Sequence, residues 1–225
     1  MKEFGRFHAF SDGVFAILIT ILVLEFRMLS FTHGHLASAL LAQWPIFLSY
    51  VMAYLYVGTL WLFHHDYFSH LTRVSRQLNM LNLLLLFSIT FVDYPLYILS
   101  AALQSGRVAD LQVAMILYGL VAMFVSFTFL IMYQYVGRHN ELHDNQIKLG
   151  VFDEIKHDPA KSVSIYGLAI ITTFWSVYVS AALIVAGIVF HFIAYLRMSS
   201  RLEKAENAAR KLKEKGGGSA KIREN

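Results

Sequence analysis

Five long apolar blocks, separated by short polar segments, dominate this chain of 225 residues. They cover residues 10–29, 39–63, 78–103, 108–136 and 162–198. A helix that crosses the hydrocarbon core of a bilayer needs about 20 largely apolar residues, and every block reaches that length. The pattern therefore predicts an all-α, polytopic membrane protein.

The overall composition excludes several other classes of protein. Hydrophobic residues make up 57% of the chain and charged residues 15%, against roughly 45–50% and about 25% in soluble domains. The sequence contains no cysteine, which removes disulfides, thiolate metal sites and cysteine nucleophiles. A net charge of +4 is too small to indicate nucleic-acid binding. No nucleophile or metal constellation indicates an enzyme.

The number of spans depends on the fifth block, which is 37 residues long. As one helix it would measure about 55 Å, too long for one span and enough for two. Six spans put 17 Lys and Arg residues on one side of the membrane and leave Arg27 and Arg107 on the other. Five spans would divide them 8 to 11. Since Lys and Arg concentrate in cytoplasmic loops, we predict six spans with both termini cytoplasmic, in the cell membrane.

The chain divides into a membrane domain and a tail. Residues 1–198 form the predicted six-span domain, and residues 199–225 form a basic cytoplasmic tail. The tail is rich in Glu, Lys and Ala over 203–215, which favours a helix, and then reads as a flexible linker at 216–219. The N-terminus is interpreted as the first span and not as a signal peptide, because Asp12 interrupts it and no small-x-small cleavage pattern follows.

One face of the first span carries a narrow apolar stripe. At about 100° per residue, Ile17, Ile21 and Leu24 lie roughly 140°, 180° and 120° around the helix from Asp12. Thr20 flanks the stripe at about 80°. Asp12 therefore points away from whatever the stripe contacts. The periodicity alone leaves two interpretations open, a packing seam between helices or the wall of a pore.

The residues of this span also carry a recognisable motif. It reads Arg6-x-x-x-Phe10-Ser11-Asp12, continues as Gly13-Val14-Phe15-Ala16-Ile17-x-x-Thr20 and closes with Val23-Leu24-Glu25. Together with Trp61-x-x-His64-His65 in span two and Asn82 and Asp93-Tyr94-Pro95 in span three, it resembles the transmembrane protein 175 family of lysosomal potassium channels and their prokaryotic relatives. The resemblance covers spans one to three, and the last three spans match only as an apolar pattern.

The resemblance implies a single-repeat channel that assembles as a homotetramer around its first helices, with potassium as the permeant ion. It places the constriction at Ile17, Ile21 and Leu24, and a contribution to ion selection at Thr20. It assigns Arg6, Phe10, Ser11 and Asp12 to a structural motif that holds the first helix against its neighbours. Trp61 and His64 then contact the Ser11–Asp12 region, and Asn82 adds a polar group inside span three.

Four neighbouring polar residues, His64, His65, Asp66 and His70, raise the alternative of a metal site. Adjacent histidines point to different faces of a helix, and no cysteine or nearby Glu completes a ligand set. We therefore favour interfacial hydrogen bonding here and predict neither a metal site nor a cofactor.

Two further residues leave a competing function open. Asp93 either caps a helix broken near Pro95 or acts as a functional charge, and the former is favoured. A secondary transporter or proton-coupled carrier would use Asp12, Asp93 and His191. Transporters usually show internal repeats, which this sequence lacks, and a passive potassium-selective channel with an apolar gate is the leading hypothesis. A carbonyl filter of the Thr-Val-Gly-Tyr-Gly kind is not expected.

Overall fold

The computed structural model describes residues 2–26, 31–142 and 157–221, and the regular structure in these ranges is helical. The α-helices are α1 (Lys2–Ile21), α2 (Leu36–Ala42), α3 (Trp44–Ser69), α4 (Arg76–Thr90), α5 (Asp93–Ser105), α6 (Val108–Arg138), α7 (Asp158–Thr173) and α8 (Val177–Lys221). Short 3₁₀ helices follow α1 at Leu22–Glu25 and α6 at Asn140–Leu142. The predicted all-α class is confirmed.

Among the residues that the structure describes, five helical stretches are long and apolar enough to cross a membrane. They are Gly5–Glu25, Trp44–Ser69, Arg76–Ser105, Val108–Arg138 and Val177–Lys204. They correspond in order to the first four predicted blocks and the second half of the fifth. The first half of the fifth block forms α7, which at 16 residues is about 24 Å long.

The fifth block folds as a helical hairpin. Residues 174–176 connect its two helices. Thr173 Oγ1 donates a 2.7 Å hydrogen bond to Ser180 Oγ beside this turn. At the opposite end of the pair, Arg197 donates a 2.9 Å hydrogen bond to Asp158. Contacts at both ends make α7 and α8 antiparallel, as the six-span interpretation of the charge distribution requires.

The third span is broken into α4 and α5, and the break lies at residues 91–92. Pro95 is the third residue of α5, where a missing backbone N–H removes no helical hydrogen bond. Asp93 is the first residue of α5, and Val92 holds the N-cap position without a side-chain cap. The predicted capping bond from Asp93 is therefore absent. Its carboxylate instead lies in the first turn, where the helix dipole favours a negative charge.

The core of the bundle is built around α3 and α6. The latter packs against α4, α5, α7 and α8, and α3 packs against α1, α5 and α8. Tyr56, Tyr118 and Tyr166 are among the largest fully buried side chains. The first helix packs only against α3, its own 3₁₀ extension and α4 in the described part of the chain, weaker contacts aside. It therefore lies at the edge of the bundle, with one side toward α3.

The end of α8 departs from the sequence-based expectation. The helix continues to Lys221 and includes residues 216–219, for which the sequence predicts a flexible linker. Each glycine in a helix costs about 1 kcal/mol relative to alanine. The three glycines at 216–218 thus make this the intrinsically weakest part of α8.

Candidate functional site: the first helix and its motif

The inward face of α1 is fixed by buried side chains at helical spacing. Phe7, Ser11 and Phe15 follow one another at intervals of four residues, and all are less than 10% exposed. Leu22, in the 3₁₀ extension, is also buried. Side chains at such spacing share one face of a helix. This face packs against the bundle, so the rotation of α1 about its own axis is set by the motif region.

The opposite face of α1 is apolar and exposed. Ile17 is 61% exposed, Leu24 73% and Ile21 37%, and Thr20 also lies on the surface. The predicted stripe is therefore not a buried packing seam within residues 2–26, 31–142 and 157–221. It contacts either lipid or another protein surface.

The end of the stripe is aligned by a change of helix type. From Leu22 the chain is 3₁₀ rather than α-helical, and residues three apart in a 3₁₀ helix eclipse one another. Leu24 therefore lies nearly in line with Ile21, closer than the 100° rule predicts. The change from α-helix to 3₁₀ helix thus straightens the apolar stripe that begins at Ile17.

A chain of buried polar groups joins α1 to α3 and α4. Ser11 Oγ donates to the Phe7 carbonyl at 3.1 Å and accepts from Asn82 Nδ2 at 2.9 Å. The amide oxygen of Asn82 then accepts from His64 Nε2 at 2.8 Å. Ser11, His64 and Asn82 are each less than 3% exposed. Buried polar groups need such partners because leaving one unsatisfied costs about 1–3 kcal/mol.

Asp12 makes a second contact between α1 and α3. Trp61 Nε1 donates a 2.9 Å hydrogen bond to Asp12 Oδ1. His65 Nδ1 lies 3.5 Å from the same oxygen. The Asp12 side chain is 36% exposed, so this contact faces the rim of the bundle. The motif thus holds α1 through one buried and one partly exposed contact.

Arg6 and Phe10 are placed differently from the rest of the motif. Both side chains are exposed, and neither makes a hydrogen bond or ion pair within ranges 2–26, 31–142 and 157–221. Phe10 is 54% exposed. Their predicted role in holding α1 against its neighbours involves no partner in the described part of this chain.

The four polar residues considered for a metal separate into different environments. His64 faces Asn82, whereas Asp66 Oδ2 accepts a 3.0 Å hydrogen bond from Tyr195 of α8. His70 Nδ1 lies 2.6 Å from the Asp66 backbone carbonyl. His65 approaches the Asp12 carboxylate instead.

Thr20 presents oxygen lone pairs rather than a proton to the exposed face. Its hydroxyl lies 2.9 Å from the carbonyl oxygens of both Ala16 and Ile17. A hydroxyl has one proton and two acceptor lone pairs. Because the proton is directed to the helix backbone, the outward part of the group is suited to a cation.

The other two residues of the carrier hypothesis, Asp93 and His191, lie away from this motif. Asp93 and Glu25 line a mainly apolar cavity of about 160 Å³ between the 3₁₀ extension of α1, α3 and α5. His191 is buried in α8, where its Nδ1 lies 2.7 Å from the Gly187 carbonyl. Asp12, Asp93 and His191 thus occupy three separate environments.

Comparison with known proteins places this arrangement in a family. Residues 6–92 match the family model described as endosomal/lysosomal potassium channel TMEM175. A potassium channel of Streptomyces collinus is 38% identical over 148 residues, which cover 65% of this chain and 71% of that protein. The chain belongs to the TMEM175 family. The matched region contains the whole TMEM175 motif and its partners Trp61, His64 and Asn82. This family is one of ion channels and not a class of enzymes.

Two further TMEM175 proteins extend the comparison. The crystal structure of a lysosomal potassium-selective channel TMEM175 homolog from Chamaesiphon minutus superposes with a TM-score of 0.71 at 30% identity. The superposed region covers 86% of this chain and 99% of the Chamaesiphon minutus chain. A human TMEM175, named an endosomal/lysosomal proton channel, is 38% identical over 96 residues, or 39% of this chain and 18% of its own.

Sequence reasoning missed His8 as a neighbour of the motif. The structure brings potential ligand atoms of His8, Asp12 and His65 within 4.8 Å of one another. The spacing of His8 and Asp12, four residues apart on one helix, was the available signal. The position of His65 depends on how α3 is set against α1, which periodicity does not specify.

Proposed function

We propose that this chain is the subunit of a potassium-selective cation channel, a homotetramer whose four α1 helices surround a central pore. One observation carries the proposal: the apolar row of Ile17, Ile21 and Leu24 is exposed on a helix whose other face is held by the motif. A stripe that is this exposed in the described part of its own chain is available to face an axis shared by several copies.

The names of the prokaryotic relatives support this assignment. The Streptomyces collinus protein is named a potassium channel, and so is a Chamaesiphon minutus protein that is 30% identical over 203 residues. The second alignment covers 88% of this chain and 96% of that relative. An alignment of nearly the full length favours the same single-repeat architecture here.

The constriction works through branched apolar side chains. Four copies of Ile17, with Ile21 and Leu24 farther along the axis, form rings that a hydrated ion does not pass without losing water. Such hydrophobic constrictions gate by dewetting. Potassium releases its hydration water more readily than sodium, so the ring favours potassium without a charged ligand.

Thr20 supplies the polar part of the selectivity. It lies between the levels of Ile17 and Leu24, and its proton is directed to backbone carbonyls. Four such oxygens replace part of the hydration shell at the narrow point. Because no acidic ring accompanies them on the stripe, the expected preference among cations is moderate.

The orientation in the membrane follows from the distribution of positive charge. Both termini are cytoplasmic in this proposal, residues 1–198 form the channel and residues 199–225 the cytoplasmic tail. The ion-paired end of the α7–α8 hairpin, where Asp158 contacts Lys161 and Arg197, then lies on the cytoplasmic side of the cell membrane.

The alternative of a proton-coupled carrier is less well supported. A relay through Asp12, Asp93 and His191 would need groups in contact, whereas these residues have separate partners. The human relative is named a proton channel. Proton conduction should therefore be measured on the same channel, with a proton gradient as the only driving force.

Reconstitution of the purified chain in planar bilayers tests the proposal. Under a potassium gradient we expect unitary current steps and a reversal potential displaced toward the potassium equilibrium value. Native mass spectrometry should give four times the 25.7 kDa mass of the chain. In the bilayer recordings, coupled and saturating flux without unitary steps would favour a carrier. In the mass spectra, a monomer would contradict a pore formed by four subunits.

A further inference from the structure

A cluster of two imidazoles and a carboxylate lies where α1 meets α3. His8 and Asp12 are four residues apart in α1, and His65 comes from α3. One ligand atom from each lies within 4.8 Å of the other two. All three residues are partly buried, so the group is reachable from solvent yet held by the surrounding helices.

The contact between His65 and Asp12 is not an ordinary hydrogen bond. His65 Nδ1 is buried and has no hydrogen-bond partner in the described part of the chain. It lies 3.5 Å from Asp12 Oδ1, beyond the 2.7–3.2 Å usual for nitrogen and oxygen. The nitrogen and the carboxylate face each other across a gap that a cation between them would fill.

The separations suit a transition metal after small side-chain movements. Zinc binds imidazole nitrogen and carboxylate oxygen at about 2.0–2.2 Å in tetrahedral geometry, which puts ligand atoms roughly 3.4 Å apart. The pair at 3.5 Å already meets this value. The remaining separations, all within 4.8 Å, need only side-chain rotation, because the ligands are flexible groups on rigid helices.

We propose that His8, Asp12 and His65 form a binding site for Zn²⁺ that bridges α1 and α3. Imidazole and carboxylate ligands suit zinc. Three protein ligands leave a fourth position for water, since the cluster is partly exposed. The site includes Asp12, which points away from the apolar stripe, so the two are distinct. The existence of the site does not depend on potassium conduction.

The surroundings already orient two of the ligands. Trp61 Nε1 donates to Asp12 Oδ1, which fixes the carboxylate while leaving lone pairs for a metal. The His8 ring has the Phe68 backbone as a hydrogen-bond partner. Metal-binding histidines commonly direct one ring nitrogen to a backbone carbonyl in this way. These outer contacts hold two of the three ligands before a metal arrives.

The test is a zinc titration of the full chain, untagged and treated with chelator, in detergent. We expect one Zn²⁺ per chain after gel filtration and a higher midpoint of thermal unfolding. Mg²⁺ should not reproduce the effect, because it prefers oxygen ligands in octahedral geometry. The control variant is His33→Gln, which removes an exposed histidine of the segment between α1 and α2.

The variants His8→Gln and His65→Gln test whether these two histidines bind the zinc. Loss of an outer-shell partner alone weakens metal binding about 10–100-fold, so each variant should weaken zinc binding at least tenfold. Both are expected to remain folded because neither belongs to the Ser11–Asn82–His64 chain. Wild-type protein that binds no zinc, or variants that bind it as tightly as wild type and His33→Gln, would overturn the proposal.

Discussion

Trp61 Nε1 lies 2.9 Å from Asp12 Oδ1, and this hydrogen bond joins α1 to α3 across 49 positions of sequence. The two groups are complementary, because an indole can only donate and an ionised carboxylate can only accept. The bond fixes the side of α1 that faces the bundle. Together with the buried face of Phe7, Ser11 and Phe15, this contact sets the orientation of the exposed stripe.

Replacing Trp61 with Phe should destabilise the helix contact without removing the aromatic ring. A hydrogen bond to a charged group contributes about 1.5–3 kcal/mol. Because the Asp12 side chain is 36% exposed, water replaces part of the bond, and we expect a loss of about 1 kcal/mol. The measurement is the free energy of unfolding in detergent. Trp175→Phe is the matched control, since Trp175 is 79% exposed, and equal losses for the two variants would count against the contact.

Asn82→Leu should destabilise the bundle through two partners at once. It leaves both Ser11 Oγ and His64 Nε2 without their hydrogen bonds to the amide. The expected cost is about 1–2 kcal/mol, between the values for buried groups in water-soluble and membrane proteins. A double-mutant cycle with Ser11→Ala checks the pairing. Its coupling energy should reach about 0.5 kcal/mol or more, and strictly additive losses would refute a direct Ser11–Asn82 contact.

Thr20→Ala should lower the ratio of potassium to sodium permeability. The substitution removes a hydroxyl oxygen whose lone pairs are turned away from the helix backbone, while Ile17 and Leu24 on either side remain. Thr20→Ser is the control, because serine keeps the hydroxyl and can make the same backbone bonds. The reversal potential under bi-ionic conditions reports the ratio. An alanine variant with the reversal potential of wild type would exclude Thr20 from ion selection.

Ile17→Asn should raise the unitary conductance. Asparagine side chains at the constriction hold water more easily than isoleucine side chains do. Dewetting is the expected barrier to ion passage at position 17. Ile17→Leu conserves the apolar character and should remain close to wild type. Single-channel recordings in bilayers compare the three proteins. If the asparagine variant conducts like the other two, the narrow point lies elsewhere.

Much of the fold could be predicted because membranes impose simple rules. Apolar length identified the spans, and the asymmetry of Lys and Arg divided the fifth block into what proved to be α7 and α8. The break in the third span was harder to locate. Pro95 suggested its position, but proline is tolerated in the first turn of a helix, and the chain breaks at residues 91–92 instead.

The site was predictable only in part. Helical periodicity placed Ile17 and Ile21 on one face, and that face is exposed. The 3₁₀ extension that realigns Leu24 is a local change of geometry that a uniform 100° rotation omits. The approach of His65 to His8 and Asp12 depends on the setting of α3 against α1. That setting follows from the packing of the whole bundle.

The central claim, that the exposed face of α1 lines the ion path, is tested most directly by a single cysteine. The chain has none of its own, so Ile17→Cys introduces a unique thiol. Modification by a charged methanethiosulfonate should change the potassium current sharply. Val113→Cys, at a position of α6 that is 65% exposed, should be insensitive. An unaltered current after modification of Ile17→Cys, or equal effects at both positions, would contradict the claim.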